Sequence, residues 1–243
     1  MILDEKAQLN QVALNQVPAD CACGDDNEQA HVDVCINPRD VGSNKPIIWT
    51  DDLLKIDKPK LLLHSCCGPC STSVTERLLR DYDVTIYFYN PNITDKEEYD
   101  KRLEAQLKFI DGYNASPDKI DTIHFIEGPW DVEEFYRYVR NHEKDLEGGE
   151  RCNLCMRMRL EKTAGVALVG GFQAFTTTLS VSPHKNHAEI LKVGTALAIK
   201  YQLTFIPDDF KKKDGYKRSI ELSKKYGLYR QNYCGCEFSK WET

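Results

Sequence analysis

The sequence has no apolar run near the roughly 18 residues that a membrane-spanning helix needs. Its first six residues also lack a basic stretch followed by an apolar core. We therefore predict a cytoplasmic protein with no secretory leader and no membrane partner. Glycine and proline, at 14 and 10 of 243 residues, are too scarce for a collagen-like or low-complexity chain. The length and a hydrophobic content of 41% predict one globular domain with room for a tail.

An excess of positive charge is missing as well. The net charge is -6, from 32 basic and 38 acidic residues, which excludes a surface that is basic throughout but leaves room for local basic patches. Cysteine, in contrast, is abundant, with ten residues. In a reducing compartment, clustered thiols more often hold a metal or carry out redox chemistry than stabilise a fold as disulfides.

Residues 1–45 differ in composition from the rest of the chain. They are rich in Asn, Gln, Asp and Ala and show no sustained apolar period, which predicts a flexible leader. The leader thiols, Cys21, Cys23 and Cys35, fit either exposed side chains on a variable extension or a second metal site. We assign residues 46–243 to one α/β catalytic domain that ends in a Cys-Gly-Cys tail.

Short apolar runs alternate with amphipathic segments from residue 60 onward. This alternation is typical of a parallel sheet flanked by helices, and we predict a single Rossmann-like sheet of five strands. Ligands bind to such a sheet at the carboxyl edge of its strands. The predicted strands are 60–64, 84–89, 122–126, 174–179 and 204–206, and the predicted helices are 71–80, 95–111, 132–141, 152–168, 187–201 and 216–226.

Two cysteine groups are predicted to meet at this edge. Cys66, Cys67 and Cys70 directly follow the first predicted strand. Cys152 and Cys155 form a Cys-x-x-Cys at the start of a helix that leads back into the fourth strand, where the helix dipole favours thiolates. The gap of about eighty residues between the groups is too long for a zinc ribbon. Soft thiolates without interleaved histidine favour an iron–sulfur cluster, and structural zinc is the alternative.

A third cysteine group, made of two residues, lies near the end of the chain. Cys234 and Cys236 flank one glycine; such a pair chelates metal, forms a strained and easily reduced disulfide ring, or stays as exposed thiols. The last predicted helix carries the chain about 15 Å away from the carboxyl edge, and the extended segment after it returns about 20 Å. The tail is therefore long enough to reach the other cysteines.

Two alternative functions come from the same residues. Cys67-Gly68-Pro69-Cys70 is the active-site tetrapeptide of thioredoxins, so a thioredoxin-like thiol–disulfide oxidoreductase using Cys67 and Cys70 is one alternative. It leaves the other cysteine groups without a role, and the chain is more than twice the length of that fold. A zinc-held RNA-binding module is the second alternative.

Further candidates for contact with substrate or tRNA lie at the carboxyl edge or beside the later cysteine groups. The hydroxyl groups after the fourth strand fit either phosphate binding or a simple strand end. The asparagines after the second strand fit either recognition of a base or capping of the next helix. Basic residues interleaved with aromatics suit a single-stranded RNA loop. These candidates are Asn90, Asn92, Arg151, Arg157, Thr177, Lys185, Tyr229, Arg230 and Tyr233.

Together, these motifs resemble the cobalamin-independent epoxyqueuosine reductases, the QueH family. The resemblance covers about residues 59–239 and leaves the leader outside. It is carried by LHSCCGPCS at 63–71, YNPNI at 89–93, EGGERCNLCMRMRL at 147–160, FTTTL at 175–179 with SP at 182–183, and GLYRQNYCGC at 227–236.

The resemblance implies an activity, partners and a fold. The activity is reduction of the epoxide of epoxyqueuosine to the alkene of queuosine at the tRNA anticodon wobble position, the last step of queuosine synthesis. The partners are tRNA carrying epoxyqueuosine and an electron donor that the sequence does not identify. The family's sheet is similar to the HUP-like nucleotide-binding folds of tRNA-thiolating enzymes, although here the cysteine loop stands in place of a glycine-rich phosphate loop.

The resemblance also implies cofactors. It implies that Cys234 and Cys236 form a redox-active disulfide pair. Cys70, where some members have Asp, becomes a candidate ligand of an additional iron ion. A [4Fe-4S] cluster has four implied ligands, Cys66, Cys67, Cys152 and Cys155.

Overall fold

The computed structural model describes residues 58–183 and 185–239. The predictions about the leader, including those for Cys21, Cys23 and Cys35, lie outside the described residues. The strands are β1 (Lys60–Ser65), β2 (Asp83–Phe88), β3 (His124–Glu127), β4 (Ala174–Thr177) and β5 (Thr204–Phe205). The helices are α1 (Gly68–Leu78), α2 (Lys96–Asn114), α3 (Val132–Tyr138), α4 (Glu150–Val169), α5 (His187–Tyr201) and α6 (Gly215–Lys225).

The strands form one five-stranded parallel sheet in the order β3-β2-β1-β4-β5. This confirms the predicted fold class. Strands β1 and β2 lie at or next to the centre, and all their residues except the first of each are buried. A parallel sheet is covered by helices on both faces, which explains why β1 reads as a continuous apolar run rather than as an alternating pattern.

Alternate side chains of the central strands enter two separate cores. Leu61 and Leu63 pack with residues of α1 and α2 on one face of the sheet. Leu62 packs with residues of α4 and α5 on the other face. The first turn of α1 approaches α2 very closely, since a Cβ on Gly68 would lie 2.5 Å from the carbonyl oxygen of Ala105. Glycine at this position therefore lets the cysteine loop sit directly against α2.

The observed elements differ from the predicted ones mainly at their ends. Strand β4 ends at Thr177 and not at residue 179 as predicted, because the Thr177 hydroxyl accepts a hydrogen bond from the Leu179 amide at 3.1 Å. This cap starts a 3-10 helix, Thr178–Val181. Helix α1 begins at Gly68, before the predicted residue 71, because Pro69 fits the first turn. No helix in the described part of the chain is both long and apolar enough to cross a bilayer.

A candidate active site lined by thiols

The candidate site lies where the strand order reverses. The chain leaves β1 toward β2 and leaves β4 toward β5, so the loops after β1 and β4 diverge and open a crevice between them. Cys66 lies in the first loop and Thr178 in the second. The Cys66 amide donates to the Thr178 hydroxyl at 3.2 Å, and that hydroxyl lies 3.5 Å from the Cys66 sulfur. The cysteine loop is thus held at the ligand-binding point of the fold.

Cys66, Cys67 and Cys70 form a compact sulfur triad. Their Sγ atoms all lie within 4.8 Å of one another, and those of Cys66 and Cys67 are 3.8 Å apart. One tetrahedral metal ion with metal–sulfur bonds of about 2.3 Å separates its sulfurs by roughly 3.8 Å. The triad can therefore bind a metal ion. Within the described residues, this group does not include Cys152 or Cys155.

One thiol of the triad is set apart by its hydrogen bonds. The hydrogen bond from Cys67, followed in size by that from Cys70, lowers the pKa of Cys66 well below its usual value, although burial acts in the opposite direction. The same bond to Cys66 raises the pKa of Cys67. The lowered pKa favours the thiolate form of Cys66, which is the form of cysteine that binds metal.

His64 supports the triad from inside the sheet, a role that the sequence did not predict. Its register places it beside Tyr87 on β2 and Thr177 on β4. Nε2 lies 3.1 Å from the Tyr89 carbonyl oxygen, which only accepts, so Nδ1 accepts the Thr177 hydroxyl at 2.8 Å. Burial, and then the charge of Arg159, lowers the pKa of His64 to about 4. The neutral ring ties together the carboxyl ends of β1, β2 and β4.

The second cysteine group lies in the first two turns of α4. The Gly148 amide donates to the Cys152 sulfur at 3.2 Å. Cys155 is buried, and burial raises its pKa, although the charge of Arg159 opposes this. Metal binding at Cys155 must therefore displace a proton.

Arg159 links the three cysteine groups electrostatically. Its guanidinium is buried, and its Nε donates to the Cys155 carbonyl oxygen at 3.3 Å. Burial opposes its charge, but the sulfurs outweigh burial and raise its pKa. No carboxylate forms an ion pair with Arg159 in the described part of the chain, and the groups that do most to raise its pKa are sulfurs. The sulfurs that act on it come from all three groups: Cys155, Cys234, Cys66 and Cys152.

The carboxyl-terminal tail, the segment that follows α6, does reach the other two cysteine groups. Gln231 Nε2 donates to the Cys67 sulfur at 3.0 Å. The Cys234 sulfur lies 3.5 Å from Lys185 Nζ, and Lys185 also lies 3.5 Å from Glu147. Cys236 is buried in an apolar cluster that includes Cys155. Burial, followed by the charges of Cys234 and Cys155, raises the pKa of Cys236 to about 12.

A cavity of about 270 Å³ opens beside the second group. Cys152 and Lys185 both line it, together with Met156 and Asn186. Burial opposes the charge of Lys185, but the sulfurs of Cys234, Cys152 and Cys155 raise its pKa. The ammonium therefore stays charged in a cavity that also contains a thiol.

Several predicted contact residues serve as internal supports. Asn90 and Asn92 are each 1% exposed, and Asn90 Nδ2 donates to the Ser65 carbonyl oxygen at 2.9 Å. Neither asparagine caps α2, because Asp95 does so. The buried guanidinium of Arg151 donates to the backbone carbonyls of Glu143 and Asp145, and Thr177 is engaged by His64.

The remaining candidates are more accessible. Arg157 and Arg230 are exposed, and Arg230 Nη1 lies 3.0 Å from the Ser223 hydroxyl. Tyr229 is 40% exposed, and Tyr233 packs under the guanidinium of Arg102 at 5.3 Å. Contact with tRNA stays a prediction for all of the candidates.

The fold and the site define an α/β protein with a cysteine triad that can bind a metal ion at the ligand-binding edge of its sheet. A family model described as "Epoxyqueuosine reductase QueH" matches residues 61–242, and the chain belongs to that family. The chain is 42% identical over 192 residues to the epoxyqueuosine reductase QueH of Streptococcus pyogenes serotype M1, covering 79% of this chain and 73% of that protein. It is 40% identical over 184 residues to the protein of the same name from Staphylococcus aureus strain Mu50, covering 75% and 76%.

Among solved structures, the chain is similar to the U34-tRNA thiolase NcsA from Methanococcus maripaludis with its [4Fe-4S] cluster. The TM-score is 0.45 at 14% identity, and the match covers 78% of this chain and 64% of that chain. A likeness of this degree carries no information on function.

Proposed function

We propose that this protein is an iron–sulfur oxidoreductase that reduces the epoxide of epoxyqueuosine to the alkene of queuosine at the wobble position of the tRNA anticodon. The reaction consumes two electrons and two protons, and the epoxide oxygen leaves as water. The observation that carries the proposal is the meeting of three thiol groups, in a chain of the QueH family. The tail contacts Cys67 through Gln231, Cys236 shares an apolar cluster with Cys155, and Lys185 contacts Cys234 and lines a cavity with Cys152. Family membership favours this function over the thioredoxin-like and zinc-module alternatives.

The residues present fit the proposed cofactor, a [4Fe-4S] cluster. The donors are all sulfur, they come from the loop after β1 and the start of α4, and the buried Arg159 supplies positive charge beside them. When bound, a cluster of this kind passes electrons one at a time. Cys70, in close contact with two of the proposed ligands, is the candidate ligand of an additional iron ion. The cluster ligands that we propose are Cys66, Cys67, Cys152 and Cys155.

A direct assay tests the proposed activity. Protein prepared without oxygen is incubated with a chemical reductant and tRNA carrying epoxyqueuosine, and the nucleosides are then analysed by mass spectrometry. The expected product has lost one oxygen atom. An unchanged nucleoside, from protein that contains its iron and sulfide, would contradict the proposal. Reduction of insulin disulfides by metal-free protein would instead support the thioredoxin-like alternative.

Lys185 is the residue that we expect to act on the leaving oxygen. It faces the cavity beside Cys152 and carries a positive charge. A fixed cation stabilises negative charge that develops in the transition state, and loss of one such group costs about 10²-fold in rate. Lys185→Met should therefore lower kcat by about this factor while the iron content is unchanged. Lys192→Met is the matched control, because Lys192 is 74% exposed on α5 and pairs with Glu189. Equal rates for the two variants would contradict this role.

Substrate tRNA should bind less tightly as salt rises, because each phosphate contact releases counterions. Arg157 and Arg230 are exposed and lie on the chain segments that carry the later cysteine groups. If they contact phosphate, replacing either by Gln should reduce the slope of log affinity against log salt by about 1. Lys200→Gln, at an exposed lysine paired with Glu161, should leave the slope unchanged. Affinity independent of salt would contradict the prediction.

A further inference from the structure

Two charged residues of α2 hold the carboxyl-terminal cysteine pair, and the chemistry described above gives them no role. Glu98 and Arg102 lie one helical turn apart and form an ion pair with an Nε–Oε1 distance of 2.6 Å. Their side chains are only 8% and 2% exposed, respectively. Withdrawing two charges from water is costly, so a buried pair is weak evidence for stability but can select one conformation.

The conformation that this pair selects is that of the tail. Arg102 Nη1 donates to the Cys234 carbonyl oxygen at 3.0 Å, and Nη2 donates to the Tyr233 carbonyl oxygen at 3.1 Å. The second oxygen of Glu98 accepts the Tyr229 hydroxyl at 2.8 Å. We call Glu98, Arg102 and Tyr229 the tail clamp. Within the described residues, the side-chain hydrogen bonds that leave the ion pair thus end on the tail.

The backbone between and after the two cysteines is held as well. The Thr94 amide donates to the Gly235 carbonyl oxygen at 3.3 Å, and the Ser239 amide and hydroxyl donate to the Cys236 carbonyl oxygen. Gly235 has a φ of +98°, and a Cβ there would lie 2.9 Å from Ile93 and 3.0 Å from Arg102. Each carbonyl of the Cys-Gly-Cys segment therefore has a donor, and glycine is needed between the cysteines.

We propose that the tail clamp positions Cys234 and Cys236 as a redox couple and sets its potential; this rests on the proposed function of the pair. Oxidation joins the two sulfurs in a disulfide and releases two electrons and two protons. In the clamped conformation the Cys234 sulfur lies 3.5 Å from the ammonium of Lys185, a contact that favours the more negative sulfur of the reduced form over that of a disulfide. The clamp thus stabilises the dithiol, and a stabilised dithiol makes the couple more oxidising. Weakening the clamp should shift the couple to a more negative potential.

The test uses the full chain with its iron and sulfide, equilibrated in glutathione buffers. Thiol alkylation and mass spectrometry of the tail peptide then give the oxidised fraction of Cys234 and Cys236. Arg102→Met should shift the dithiol–disulfide equilibrium at least tenfold toward the disulfide, which is about 30 mV for a two-electron couple. It should also lower kcat about tenfold or more with little change in KM. Arg102→Lys keeps the charge but not the two-pronged contact, so it should give an intermediate shift.

Asp100→Asn is the matched control, because Asp100 forms an exposed ion pair with Lys96 on the same helix. If Arg102→Met does not fold, Tyr229→Phe tests the clamp instead. It removes only the hydroxyl that donates to Glu98, and the fold should tolerate the change because Tyr229 is 40% exposed. An unchanged equilibrium in Arg102→Met or Tyr229→Phe, or a shift toward the dithiol, overturns the role of the clamp. Full multiple-turnover activity of Cys234→Ser/Cys236→Ser overturns the proposed role of the pair instead, so the two failures are distinguishable.

Discussion

Protein carrying Cys67→Ser is expected to lose its cluster iron and all epoxyqueuosine reduction. Cys67 is fully buried, its sulfur is 3.8 Å from that of Cys66, and Gln231 donates to it. Serine is nearly the same size and accepts the same hydrogen bond, so the fold should persist. A hydroxyl is, however, a poor ligand for iron in a cluster site that is otherwise thiolate. Metal analysis, sulfide analysis and the nucleoside assay measure the two losses.

Cys70→Ser is the informative comparison, because Cys70 belongs to the same triad but is not a proposed cluster ligand. This variant should keep the sulfide of the cluster and lose only the additional iron. Equal loss of sulfide from Cys67→Ser and Cys70→Ser would show that the ligand set has been assigned wrongly. Wild-type iron and activity in Cys67→Ser would contradict the proposed centre as a whole.

The second large effect is expected for Cys234→Ser/Cys236→Ser. The double variant should retain its iron, because neither residue is a proposed cluster ligand, but it should not sustain repeated turnover. Two serines cannot cycle between dithiol and disulfide, so no group in the tail can supply the second electron that each turnover needs. The measurement is the amount of queuosine formed per protein molecule over time, with tRNA and reductant in excess.

The single variants sharpen this expectation. Residues that act as one unit lose their function together, so either single change should cost as much as both. Cys234 contacts Lys185, whereas Cys236 lies in an apolar cluster, and a purely structural role would give unequal losses at these different sites. Undiminished multiple turnover by the double variant would remove the redox role from the tail.

The fold was predictable because its signals are local. The cap at Asn186 and the apolar period after it define α5, whose predicted and observed bounds are the same, His187–Tyr201. The end of β4 was not predictable, because it depends on the Thr177 hydroxyl turning back to an amide two residues on. A threonine in a strand pattern normally indicates that the strand continues.

The site was predictable only in part, because some of its contacts join residues that are distant in sequence. Cysteine spacing and parallel topology identified the three thiol groups. The role of Arg159 beside the cysteines was not predicted, although this residue lies one turn after Cys155 on the same face of α4, a spacing that offered a signal. His64 and Arg102 offered none, since their roles depend on the Tyr89 and Cys234 carbonyls, distant in sequence. Arg151 was predicted as an RNA contact because sequence does not show that its side chain is buried.

Quantitation of iron, acid-labile sulfide and zinc in protein purified without oxygen tests the central claim most directly. If thiolates from the β1 loop and the start of α4 hold an iron–sulfur cluster, iron and sulfide will be present, with sulfide matching the cluster iron. The sample will also be brown, with broad absorption near about 400 nm. Colourless protein with stoichiometric zinc and no sulfide would contradict the account.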